Sequence, residues 1–173
     1  NGNAISIADL DAGGSSVQVT LTGTNGTVTL SGITGLTFSA GDGTADATMT
    51  FTGTVTAINT ALNGRSFAPT GNFSGAASLQ IATSDLGNTG SGGTQTDTDN
   101  VAITVAAVND APVNTVPGGQ STNEDTALVF SSGNGNLISI ADLDAGGSSV
   151  QVNLTGTNGT VTLSGITGLT FSS

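Results

Sequence analysis

The chain has 173 residues with Asp+Glu 12 against Lys+Arg 1, no His and no Cys, giving a formal net charge of −11. Such a surface excludes nucleic acid and anionic lipid as partners, because both need Lys or Arg to neutralise phosphate, and it favours cations instead. Without Cys there is no disulfide framework, and without His, Cys or Lys there is no evident base or nucleophile, so no enzyme is expected.

No apolar run approaches the roughly 20 residues of a membrane span, so no membrane insertion is expected, and no signal peptide opens the chain. The first landmark is "ADLDAGG" at 8–14, two aspartates two apart in a chain that otherwise avoids charge. "VQVTLTGTNGTVTL" follows, with Asn25-Gly26 between two alternating runs. That pattern predicts a two-residue hairpin with φ > 0 at both turn positions, Leu21 opposite Leu30, and Val19, Leu21, Val28 and Leu30 on one face. Further strands are predicted at 47–53 ("ATMTFTG"), 77–84 ("ASLQIATS") and 100–108 ("NVAITVAAV"). Between the first two of these, Val55, Ile58 and Leu62 recur at helical spacing and Gly64 closes the run, which predicts one short helix over 54–64. Phe38, Phe51, Phe67 and Phe73 are expected to fill the core. Pro112, Pro117 and Asn109-Asp110 mark a linker over 106–119, with a boundary near Ala111.

After the linker the chain repeats itself. Residues 134–173 return the sequence of 1–40 at an offset of 133, differing only at Ala4/Leu137, Thr20/Asn153 and Ala40/Ser173. A period of this length suits a whole domain in a tandem array. The expected architecture is all-β: Ig-like β-sandwich repeats of about 133 residues, each with one short helix. Residues 1–111 form a repeat lacking its N-terminal strand segment, and 112–173 the N-terminal part of the next.

The acids fall nearly all in predicted turns. If strands run end to end, Asp9, Asp11, Asp85, Asp97 and Asp99 gather at one pole, while Asp110 meets Asp142 and Asp144 at the next junction. Close carboxylates repel, and with almost no basic side chains a hard divalent cation is the natural counter-charge; oxygen-only ligands suit Ca²⁺. A lone Asp beside Gly is explained as a turn former. The recurrence of the pair one linker away from Asn109-Asp110 moves the reading to calcium, whereas Asp42 and Asp46 are read as turn residues.

At these residues the sequence resembles the cadherin-like repeats of large bacterial RTX-type surface adhesins. "LQIATSDLGNTG" with "DTDNVAITVAAVNDAP" is similar to that family's strand, A-x-D-x-G-like turn, strand and N-D-x-P linker; "ADLDAGG" matches its D-x-D motif and "NED" at 123–125 its x-E-x motif. The resemblance covers essentially the whole chain. It implies calcium between consecutive domains, held by Asp142, Asp144, Asp110 and the Asn109 carbonyl at one junction and by Asp9, Asp11 and Asp85 at the preceding one, with Glu124 facing a later one. Ala107 and Ala111 depart from the family linker, which implies fewer ions per junction. The implied role is a calcium-stiffened spacer on a bacterial cell surface, supporting adhesion or biofilm formation, with neighbouring repeats as partners. Two alternatives remain open: identical chains joined into an extracellular filament or sheath by strand addition, and a ligand-binding adhesin domain.

Overall fold

Alternation decides the first strand. In Ser16–Thr24 (β1), Val17, Val19 and Leu21 are fully buried, while Gln18, Thr20 and Thr22, which alternate with them, are half-buried. The computed structural model describes residues 4–88 and 91–172. They fall into two units, Asn1–Val108 and Asn109–Ser173.

In the first unit β1 is followed by β2 (Gly26–Thr29), β3 (Thr37–Ala40), β4 (Thr48–Thr54), α1 (Val55–Leu62), β5 (Ser66–Pro69), β6 (Gly75–Ser84) and β7 (Thr96–Val105). Five strands make one antiparallel sheet in the order β3-β4-β1-β6-β7, and β2 and β5 pair separately. The unit is thus mostly β with one short helix. β1 sits at its centre: Leu21 lies opposite Met49 on β4 and Ile81 on β6, and Val19 opposite Phe51 and Thr83. Val28 and Leu30, from β2 and just after it, share one apolar cluster with these residues and with Ile58, Ala61 and Leu62 of α1.

The predicted hairpin is not what forms. β1 and β2 belong to different sheets, so Leu21 does not pair with Leu30. Only Asn25 takes a positive φ, 60°, and this single residue passes the chain from one sheet to the other. Gly26 is needed for a different reason from the expected one. A Cβ there would lie 2.3 Å from Cζ of Phe67 and 2.6 Å from the Ala68 carbonyl oxygen, on the strand that pairs with β2. Val19, Leu21, Val28 and Leu30 are nonetheless all buried, because they meet within one cluster instead of across a hairpin.

The strand predicted at 47–53 is β4, and that at 77–84 is β6 extended to Gly75. The one predicted at 100–108 runs over Thr96–Val105, so Asp97 and Asp99, expected in a turn, stand in β7. Strands β3 and β5 were not expected. Of the four phenylalanines, Phe51 is fully buried and stacks at a tilt on Phe38, ring centroids 5.4 Å apart. Phe38 and Phe67 are partly buried against the cluster, whereas Phe73 is half-buried and outside it.

Helix α1 forms as its spacing predicts. Thr54 caps it, its hydroxyl accepting from the Ala57 N–H at 3.2 Å, and Ile58, Ala61 and Leu62 are buried. Asn59 anchors the N-terminal segment: its Oδ1 accepts from the Ile7 N–H at 2.8 Å, and its Nδ2 donates to the Ile7 carbonyl at 2.9 Å.

The second unit holds far less regular structure. β8 (Val113–Thr115) pairs antiparallel with β9 (Ser139–Ala141), and a single 3-10 turn spans Ser132–Asn134. Asn136 is buried and ties this part together, accepting from the Ser131 N–H and donating to the Val129 carbonyl and the Gln120 side chain. Residues 149–163, which repeat 16–30 with one difference, form no strand. Val150, Val152 and Leu154 are 41%, 52% and 50% exposed where Val17, Val19 and Leu21 are at 0%. The difference is partnership: β1 is flanked by β4 and β6, whereas among the described residues no strand pairs with 149–163. Burial of a Val or Leu side chain contributes roughly 1.5–3 kcal/mol, and an unpaired strand gains none of it.

Candidate cation-binding cleft

The cleft's acids come from three places that the chain brings together: the turn before β1, the β6–β7 connection, and the start of β7. In the first, Asp9 accepts at Oδ1 from the N–H groups of Asp11 (3.2 Å) and Ala12 (3.0 Å), folding "DLDA" into a tight turn. In the second, Asp85 accepts at Oδ1 from the N–H groups of Gly87 and Gln95, both at 2.8 Å, so one carboxylate fastens both ends of the connection. These donors, Gly87 first and Gln95 second, hold the Asp85 carboxyl below the usual carboxylate range. In the third, Asp97 and Asp99 stand opposite Thr83 and Ile81, which puts them on the strand face that carries Val101 and Ile103 further along.

Asp9, Asp11, Asp85, Asp97 and Asp99 all line one cleft of about 500 Å³, together with Ser6, Thr83 and Gln95 among others. No basic side chain lines it. Arg65, the sole one in the chain, lies instead at the end of α1, where Nη1 donates to the Leu62 carbonyl at 2.9 Å. The cleft is therefore a concentration of negative charge with hydroxyl and amide oxygens beside it, a donor set that suits a hard cation. Its geometry is looser than a chelate. Among the described residues no three acidic side chains stand close enough to hold one metal ion together. Asp9 and Asp85 also each commit one oxygen to the backbone.

In unit 2 the same motif folds the same way. Asp142 accepts at Oδ1 from the N–H groups of Asp144 (2.9 Å) and Ala145 (3.0 Å), reproducing the Asp9 turn. The Asp110 N–H donates to Oδ2 of Asp144, so the linker does meet the second "DLD" turn, through its backbone. The Asn109 side chain donates to the Asp110 carbonyl at 3.1 Å. Glu124 stands apart in the exposed 123–126 turn, where its carbonyl accepts from the Thr126 hydroxyl at 3.4 Å.

Asp97 and Asp99 were grouped with the first set on topology but not assigned as ligands. Strand alternation was the available signal, since it sets both on the face of Val101, Ile103 and Val105. Asp42 and Asp46 are loop formers: Asp46 Oδ2 accepts from the N–H groups of Asp42 and Gly43, and Asp42 Oδ1 from that of Thr44.

No protein-family model, curated protein or solved structure matches this chain. Among the described residues, no helix is long and apolar enough to cross a membrane.

Proposed function

We propose that this chain is a stretch of a tandem array of β-sandwich repeats, of the cadherin-like kind found in bacterial surface adhesins, serving as an extracellular spacer that supports adhesion or biofilm formation. Calcium bound at the acidic ends of the repeats stiffens the array. The observation that carries the reading is the convergence of five carboxylates, Asp9, Asp11, Asp85, Asp97 and Asp99, on one cleft without a basic side chain among its lining residues. The repetition of the "DLD" turn against Asp110 in unit 2 supports a second site of the same kind, using Asp110, Asp142, Asp144 and the Asn109 carbonyl.

Function as a spacer asks only that each repeat fold and contact its neighbours, which near-identical repeats satisfy. A cation ordering the ends would add the free energy of its binding to the ordered state. Because no three described acids already converge on one point, the carboxylates of the cleft have to close on the ion, with carbonyls and water completing its shell. That requirement implies weak affinity, in the range of extracellular calcium modules at about 10⁻⁴–10⁻³ M.

The test is thermal unfolding of the 173-residue chain with millimolar calcium, magnesium or EGTA at constant ionic strength. Calcium is expected to raise the melting temperature by several degrees and magnesium to do less, with Asp9→Asn plus Asp11→Asn removing most of the difference. Equal responses to both ions would reduce the cleft to a screened patch of charge. No response at all would leave its acids as turn formers.

A further inference from the structure

The pattern Asn-x-Ser/Thr stands at two places in unit 1, Asn25-Gly26-Thr27 and Asn72-Phe73-Ser74, and the fold treats them differently. Where x is not Pro, this is the acceptor pattern for an N-linked sugar, which needs an uncommitted amide nitrogen on an exposed loop. Asn25 does not offer one. Its Nδ2 donates to the Ala76 carbonyl at 3.0 Å, its own carbonyl accepts from the Thr70 N–H at 3.0 Å, and Thr27 is half-buried within β2.

Asn72 lies in the β5–β6 connection. The Phe73 N–H donates to the Thr70 carbonyl at 3.1 Å, closing a turn in which Asn72 takes a φ of 60°. A turn position of that kind favours Gly or Asn, so the backbone alone accounts for an asparagine here. It does not account for what surrounds the amide. Asn72 and Ser74 are both exposed, and neither side chain has a hydrogen-bond partner among the described residues. Phe73, between them, is half-buried and is the phenylalanine of unit 1 that stays outside the core cluster. An aromatic side chain left at the surface beside the acceptor offers the first sugar an apolar face.

We propose that Asn72 is an acceptor site for an N-linked sugar, taken from a nucleoside-diphosphate hexose by a glycosyltransferase of the producing cell. In the transfer Nδ2 bonds to the anomeric carbon and gives up a proton. The bond from that carbon to the diphosphate oxygen breaks, and the nucleoside diphosphate leaves with the electron pair. The Ser74 hydroxyl completes the pattern that the transferase reads. The site is separate from the acidic cleft, to whose lining the β5–β6 connection contributes nothing. A sugar there covers an exposed turn, the kind of segment at which proteases cut.

The test presents the full folded chain to UDP-glucose and a soluble N-glycosyltransferase that reads Asn-x-Ser/Thr, with transfer located by peptide mass mapping. Asn158→Gln is carried in every sample, so that the peptide holding Asn25 has a mass of its own. Asn72 is expected to gain a hexose several-fold faster than Asn25, whose Nδ2 must first leave the Ala76 carbonyl. Ser74→Ala keeps Asn72 and its turn and is expected to stop the transfer to Asn72. Absence of hexose on Asn72 of the folded chain overturns the proposal, as does transfer to Asn25 at an equal or greater rate. A Ser74→Ala chain modified at Asn72 as fast as the parent overturns it as well, since the amide would then be reacting outside the pattern.

Discussion

Asp85 shows how one carboxylate can serve both the fold and the cleft. Its Oδ1 closes the β6–β7 connection through two N–H donors while the residue also lines the acidic cleft. Those donors favour the ionised form and depress its pKa below the unfolded value. The sign follows from linkage. Below its unfolded pKa, near 4, the unfolded chain binds a proton that the folded chain resists, so the stabilisation is complete above that pH and is lost as pH falls through the lower folded value. Asp85→Asn keeps an oxygen acceptor but no titrating group. Melting curves between pH 7 and pH 2 are therefore expected to show the parent losing more stability in acid than Asp85→Asn does, with the two diverging only below about pH 4. Parallel curves would mean that the connection is held by other bonds. The "SDLG" turn was legible in the sequence as a turn. The partner N–H of Gln95, ten residues along, was not, because only the closed connection brings it there.

At the scale of elements, local signals were read well where one segment satisfies itself and poorly where a distant partner decides. The helix at Val55–Leu62 needs only its own spacing, a Thr cap and a following Gly, and it forms as expected. The Asn25-Gly26 turn carries the same dipeptide as a hairpin, yet Phe67 and Ala68 press on Gly26 and the chain crosses between sheets. Turn chemistry specified a reversal; burial of Val28 on the far side chose its direction. Asp97 and Asp99 were misplaced for a similar reason, since strand pairing with β6 continues past the apolar residues into the charged ones. The helix offers a direct measure of how much α1 contributes to this core. Ile58 is fully buried among residues of β1, β2 and β4, so Ile58→Ala is expected to cost about 2–4 kcal/mol in denaturant unfolding. A loss below about 1 kcal/mol would show that the helix packs on the sheets without holding them together.

At the scale of the whole molecule, the repeat was legible at once, but the structures of its two copies were not. The same fifteen-residue pattern is a central strand and its partner in unit 1 and irregular in unit 2, although the side chains differ at one position. Propensity and alternation are therefore permissive here, and the presence of β4 and β6 alongside decides. Hydrogen exchange separates the two causes cleanly, because the copies have nearly the same intrinsic exchange rates and their peptides differ in mass at Thr20/Asn153. Peptides covering 16–24 are expected to keep most of their amide protons while those covering 149–157 exchange as fast as an unfolded chain. Equal protection of both would mean that the second copy finds strand partners of its own.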